Sequence, residues 1–289
     1  MLGDDIAMLS SVTIVIVSYN CREPLRQCLS RLQASGAMPR VIVIDNASSD
    51  GSVAMMRQEL PSVQLIANPE NRGFAAACNQ GIRATTGDFV LLLNPDTLMD
   101  LTSLKRLLDV MISNSTVGVC GPRILNPDGT LQPSCRRFPT LGIMICAELG
   151  WRGRYHMSDW RHDSTREVDQ LMGSCLLLRR AALEQVGLLD ERFFLYFEEV
   201  DLCWRLKQAG WRVLFVSEAG LTHLGGQSSS ADRQTNLLHR YRSLFEFYRK
   251  HFPRWHLPLL KCAAQLGALL RVLIGQREYG IIARKVWRL

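Results

Sequence analysis

The run TIVIVSY (residues 13–19) decides the fold. It lacks the polar–apolar alternation of a half-solvated strand, so it reads as a strand buried on both faces. A helical pattern follows, with Pro24 near its start, Leu25, Cys28, Leu29 and Leu32 at i, i+3, i+4 and i+7, and Gly36 as its end. VIVID (41–45) is the next strand and breaks at NASSDGS, a cluster of turn and N-cap residues. The helix VAMMRQEL then leads to the strand VQLIAN (63–68), the helix GFAAACNQGIRAT (73–85) and the strand DFVLLLNPD (88–96). This alternation with short connections predicts an α/β fold, a mostly parallel sheet with helices on both faces. Further strands are expected at VGVCG (117–121), GSCLLLRR (173–180) and WRVLFVS (211–217). FEEVDLCWRLKQAG reads as a helix ended by Gly210, residues 131–168 as a long loop region, and everything from Thr235 onward as helical.

The 289 residues, 47% hydrophobic, are enough for one large domain or a domain with an appendage. Charge divides them. From Arg233 to the end there are twelve Lys/Arg against two acids, whereas residues 1–232 hold 22 bases and 25 acids. A main body of 1–232 and a basic helical appendage of 233–289 are therefore expected, the latter suited to an anionic surface. Its apolar run LPLLKCAAQLGALLRVLIG (257–275) is interrupted by Lys261, Gln265 and Arg271 and reads as an amphipathic helix lying on a membrane rather than crossing it. The flanking HRYRSLFEFYRKHFPRWH adds cations and interfacial aromatics. Nucleic acid is disfavoured as a partner, because the basic segment is Leu-rich and carries no nucleic-acid motif. Nine scattered cysteines without a C-x-x-C pair read as small buried hydrophobes in a reducing cytoplasm.

In open α/β sheets, ligands bind beyond the carboxyl ends of the strands. Asp45 and Asp96 stand at two such ends. Asp45 suits a ribose or base, or simply the turn and helix cap around it. No G-x-G-x-x-G follows the first strand, which argues against a dinucleotide site. Asn94 and Asp96 of NPD offer oxygens to a hard cation, Mg²⁺ or Mn²⁺, shared with substrate phosphates. His223 in LTHLGG follows the last strand and offers a nitrogen, or serves as an ordinary turn residue. FEEVDLCWR crowds Glu198, Glu199 and Asp201 beside Phe193, Phe194, Tyr196 and Phe197. A helix N-terminus favours such acids, and Asp201 can pair with Arg205 at i+4. That leaves Glu198 and Glu199 against an aromatic wall, where a carboxylate short of water suits general-base work.

In order and in spacing, VTIVIVSYN, VIVIDNASSDGS, NRGFAAACNQGI, FVLLLNPDT, GSCLLLRRAALEQVGLLDERFFLYFEEVDLCWRLKQAGW and LTHLGGQS resemble the family-2 inverting glycosyltransferases, in particular their rhamnosyltransferase-like branch. The resemblance spans residues 12 to about 228. It implies the Rossmann-like GT-A fold, with Tyr19 and Asp45 on the nucleotide base and ribose and Arg72 near the nucleotide. It further implies that NPD is a form of the D-x-D metal motif, with Asn94 replacing its first Asp, Asp96 as metal ligand and His223 completing the site. Glu199 would be the catalytic base, with Glu198 orienting the acceptor beside it. The implied reaction moves a sugar, L-rhamnose or another deoxysugar, from a dTDP- or UDP-linked donor to a glycan or lipid-linked acceptor, with a divalent cation, at the cytoplasmic face of a membrane. In the loop region Arg136, Arg137, Trp151 and Trp160 are candidates for the acceptor site. The rival readings are a nucleotidyltransferase, for which SYNCREPL lacks a convincing phosphate loop, and an inactive sugar-nucleotide-binding protein, against which all the main acidic positions are filled.

Overall fold

The computed structural model describes residues 8–34, 39–225 and 233–289. β1 (Val12–Ser18) is buried along its whole length, as its unbroken β-branched run requires. The helix α1 (Arg22–Gln33) buries Leu25, Cys28, Leu29 and Leu32, the four residues of its predicted stripe; the expected terminator Gly36 lies outside the described residues. β2 (Arg40–Asp45), α2 (Ser52–Glu59), β3 (Gln64–Ala67), α3 (Phe74–Arg83) and β4 (Phe89–Leu93) complete the first half. The chain runs outward from β1 to β2 and β3, then crosses back to place β4 on the other side of β1, all four in parallel. That reversal opens a crevice at the carboxyl ends of β1, β2 and β4.

β5 (Thr97–Met99), α4 (Leu101–Ser113) and β6 (Val117–Leu125) follow. The predicted loop region carries more structure than its weak periodicity suggests. It holds the short strands β7 (Leu131–Gln132), β8 (Cys135–Arg136) and β9 (Arg166–Glu167) and the helix α5 (Leu141–Glu148). β10 (Gln170–Leu171) pairs with β8 in a small second sheet. β11 (Cys175–Arg179) then enters the main sheet antiparallel, between β4 and β6. The sheet is therefore mixed: β1, β2, β3, β4, β6 and β12 (Arg212–His223) share one direction, and β11 and β5 oppose it. Two apolar layers cover its faces, one under α1 and α4, the other under α3, α6 (Arg180–Val186) and α7 (Glu198–Gln208).

A third apolar cluster lies off the sheet. There α8 (Arg233–His251), α9 (His256–Leu273) and α10 (Gly280–Lys285) bury Phe245, Phe247, Tyr248, Leu260 and Ile282 together with Met144, Phe193, Phe197 and Val200. α9 approaches α5 closely, and a Cβ on Gly267 would lie 2.1 Å from the Glu148 carbonyl oxygen. By length and composition α9 is apolar enough to cross a membrane, more than its interrupted sequence suggested. Its charges, however, face the protein. Lys261 and Arg271 are buried, while Leu259, Leu266, Leu269, Leu270 and Leu273 are exposed. The expected boundary after residue 232 adjoins 226–232, outside the described residues.

Candidate active site

A cleft of about 600 Å³ opens at the carboxyl ends of β1 and β4. It gathers Tyr19, Asn94, Asp96, Glu198, Glu199 and His223, six of the eight residues expected there. Asp45 sits behind this lining. It is buried at the end of β2, opposite Ser18 of β1. Its Oδ1 accepts the Ser48 backbone N–H at 2.9 Å, serving the predicted turn, but Oδ2 and the neighbouring Ser18 Oγ are buried without partners. Buried acceptors in that state are rare unless something is meant to meet them. Arg72 stands at the exposed rim, held through its backbone N–H on Asn46 Oδ1 (3.1 Å).

Asp96 and His223 are brought together from the turn after β4 and the end of β12, with His223 Nε2 3.2 Å from Asp96 Oδ1. The hydrogen-bond chain behind them fixes the imidazole. The Gln132 amide donates to Asn126 Oδ1 at 2.9 Å, so its Oε1 must accept from His223 Nδ1 at 2.8 Å. The Nε2 lone pair then points at a buried carboxylate, an arrangement that needs either a second ring proton or a cation between the two. One imidazole nitrogen and one carboxylate oxygen, beside Asn94, form a donor set that fits Mg²⁺ or Mn²⁺ sharing its remaining positions with phosphate and water. Among the described residues no cluster of three metal-ligating side chains is present.

The opposite wall is the start of α7. Tyr196 and Phe197 both take left-handed backbone conformations (φ 68° and 71°), sparsely populated for bulky residues, and turn the chain abruptly into the helix. The bend is braced from the start of α3. The Phe74 N–H donates to the Phe194 carbonyl at 2.7 Å, and a Cβ on Gly73 (φ +83°) would lie 2.7 Å from that oxygen. Asp201, fully buried, meets Arg205 as expected, and also Lys250 and His251 of α8 at 2.6 and 2.7 Å. Burial would raise its carboxyl, yet His251, Arg205 and Lys250 together hold it low. Among the described residues Glu198 and Glu199 have no such cations in contact, and the Oε2 of each is buried and unpartnered. Burial pushes the Glu198 carboxyl well above the ordinary range, and the charge of Glu199 adds to this. Burial raises Glu199 as well, but the backbone N–H groups of the helix start and the positive charge of Arg136 oppose the rise. Both carboxyls are thus raised by burial, Glu198 the more strongly, and such differently tuned carboxyl pairs suit acid–base chemistry.

The glycosyl transferase family 2 domain model matches residues 13–187. The chain is a family 2 glycosyltransferase. It is 32% identical to the N-acetylglucosaminyl-diphospho-decaprenol L-rhamnosyltransferase of Mycobacterium tuberculosis, over 87% of this chain and 89% of the relative. It is 27% identical to the rhamnosyltransferase WbbL of Escherichia coli K12, over 85% and 89%. The fold is that of a mannosyltransferase from Pyrobaculum calidifontis solved with GDP-Man and Mn²⁺ (TM-score 0.59, 18% identity, 96% of this chain and 87% of that one).

Sequence reasoning missed one part of the glycosyltransferase cleft. Asn46, buried at the cleft, donates to Asn71 Oδ1 (2.8 Å) and accepts from Asn68 and Arg72, tying the loop after β2 to the loop after β3. Its only sequence signal was its place directly after the acid of VIVID. Of the four loop-region candidates, Arg136 alone lines the cleft. Trp160 stacks on His162 and meets Phe215 edge-on within the sheet layer, Trp151 is exposed, and Arg137 gives its backbone carbonyl to Gln170.

Proposed function

We propose that this glycosyltransferase transfers a deoxyhexose, L-rhamnose or a close relative, from a dTDP- or UDP-linked donor to a hydroxyl of a lipid-linked glycan, with inversion, at the cytoplasmic face of a membrane. The observation that carries the reading is the pairing, in one cleft, of a split-role carboxyl pair with a carboxylate–imidazole pair at the strand ends. Glu199 takes the proton of the acceptor hydroxyl as its oxygen attacks the anomeric carbon. The bond to the nucleoside diphosphate breaks on the opposite face, and configuration inverts. Glu198, kept neutral, donates a hydrogen bond that orients the acceptor. Asp45 and Tyr19 take the ribose and base, and Arg72 approaches the nucleotide from the rim. Asp96 and His223, with Asn94 beside them, hold the divalent cation, which when bound neutralises charge on the leaving diphosphate.

Residues 1–232 supply this donor chemistry and 233–289 the acceptor and membrane side. The exposed leucines of α9, with Trp255 and Trp287 exposed nearby in sequence, support docking on anionic lipid. Two rhamnosyltransferases among the relatives support the sugar, and the diphospho-decaprenol in one relative's name supports the lipid-linked acceptor.

A thermal-shift and donor-hydrolysis panel of nucleotide sugars, with and without Mn²⁺ or Mg²⁺, tests the reading. Cation-dependent stabilisation by a dTDP- or UDP-deoxysugar is the expected result; no response to any nucleotide sugar overturns it.

A further inference from the structure

Four residues that line the cleft keep a buried polar atom without a partner among the described residues: Arg136 Nε, Ser174 Oγ, Glu198 Oε2 and Glu199 Oε2. The two carboxyls already have roles at the acceptor, and a guanidinium has other donors besides Nε. Ser174 is different. Oγ is its one polar side-chain atom, the residue is 2% exposed, and its whole hydrogen-bonding capacity is idle. Most buried serines of this chain have theirs engaged: Ser52 donates to Asp50, Ser243 donates to the Leu195 carbonyl (2.8 Å), and Ser103 accepts the Gly220 N–H (3.1 Å). The other exception, Ser18, stands opposite Asp45, where the ribose is assigned.

The backbone holds this hydroxyl at one place. Met172, Gly173 and Ser174 all line the cleft, in the turn between β10 and β11. The turn is pinned at both ends, by the Met172 N–H on the Ser134 carbonyl (2.8 Å) and by the Asn94 N–H on the Ser174 carbonyl (2.9 Å). The second bond ties Ser174 to the loop that carries Asp96. On its other side the turn runs against Glu199, since a Cβ on Gly173 would lie 3.7–3.8 Å from Glu199 Cβ, Cγ and Cδ. Ser174 thus joins the loop of Asp96 to the wall of Glu199.

That position identifies the ligand. In the reaction proposed above, the diphosphate leaves on the side of Asp96 and His223, and the acceptor oxygen arrives on the side of Glu199. The anomeric carbon lies between them, and its ring is the part of the substrates that spans both sides. A residue joining the two sides therefore meets the transferred sugar. The chemistry agrees. A sugar hydroxyl donates and accepts at once, as does a serine hydroxyl, whose proton turns to suit its partner. A phosphate would call instead for a cation or charge-assisted N–H donors.

We propose that Ser174 binds a ring hydroxyl of the transferred sugar and so helps to select the donor. This rests on the roles given above to Asp96, His223 and Glu199. The test uses the full chain with Mn²⁺ and calorimetric titration of dTDP, dTDP-L-rhamnose and the three donor analogues lacking the 2-, 3- or 4-hydroxyl, with other nucleotide sugars alongside. Ser174→Ala should weaken dTDP-L-rhamnose about 3–10-fold and leave dTDP within about twofold. One of the three analogues should bind wild type and variant alike, because the contacted hydroxyl is already missing from it, and the other two should show the full loss. Equal weakening of dTDP and dTDP-L-rhamnose, an equal loss on all three analogues, or no loss at all overturns the contact. Stability gives a readout independent of any donor. Removing an unpartnered buried hydroxyl should leave the ligand-free urea midpoint of Ser174→Ala at or above that of the wild type. A clearly lower midpoint reveals an internal partner and overturns the proposal. If the wild type binds another nucleotide sugar in preference, the rhamnose reading falls, while a loss in Ser174→Ala on that donor but not on its free nucleotide still supports the contact.

Discussion

Glu198→Gln and Glu199→Gln are adjacent and chemically identical changes that should have sharply unequal effects. Glu199 is the proposed proton acceptor, and glutamine accepts no proton. General-base catalysis contributes about 10²–10⁴-fold, or about 3–5 kcal/mol of barrier, so kcat in Glu199→Gln should fall by that factor while donor KM stays within about twofold. Burial favours the neutral form of Glu198, and glutamine keeps its shape and a donor, so kcat should stay within about tenfold of wild type. Stability supplies a second, opposite signature. An unfolded glutamate loses its proton near 4.5, whereas folded Glu198 keeps its own well above that. Between the two values the folded state binds one proton more than the unfolded state, so stability falls as pH rises, by about 1.4 kcal/mol per pH unit. Glu198→Gln removes that slope and should be the more stable protein at neutral pH. Single-turnover transfer and urea denaturation from pH 5 to 8 measure both effects. Equal losses of kcat, or a pH slope unchanged in Glu198→Gln, would refute the division of roles.

The acid limb of wild-type kcat/KM should lie above the ordinary glutamate value, because burial raises Glu199 and the base works only when deprotonated; a limb near 4.5 in a pH–rate profile would contradict this. Asp96→Asn and His223→Ala should each abolish the Mn²⁺-dependent part of the thermal shift given by nucleoside diphosphate, and a full shift in both would remove them as ligands. Gly73→Ala forces a Cβ to 2.7 Å from the Phe194 oxygen at a positive φ, and should cost about 1–3 kcal/mol in chemical denaturation together with a drop in kcat. Leu266→Glu with Leu270→Glu should reduce flotation with anionic liposomes while leaving the melting temperature within a few degrees, since both side chains are exposed; undiminished flotation would free α9 of that role.

What was legible in the sequence was whatever local chemistry dictates. A strand buried on both faces must be continuously apolar, so β1, β2 and β4 could be read directly, and with them the acids at their ends. β11 could not be given a direction, because CLLLR reads the same either way and only its partners β4 and β6 set it antiparallel. α5 was hidden because LGIMICAE is apolar nearly all round and shows no stripe. Asp201 followed from i,i+4 spacing to Arg205, but its contacts with Lys250 and His251 span some fifty residues and leave no periodic trace.

The clamp on Asp201 has a bearing on how such enzymes can be recombined. The helix that carries Glu199 is anchored by a carboxylate whose cations Lys250 and His251 belong to α8, and the aromatic residues leading into it are buried under the same helices. A chain ended before Arg233 would leave that carboxylate with Arg205 alone and strip the cover from Phe193 and Phe197. In a chimera, then, the C-terminal helices cannot be exchanged while α7 is kept. The unit of exchange is α7 and its helical cover together, and a workable junction would fall between β11 and α7.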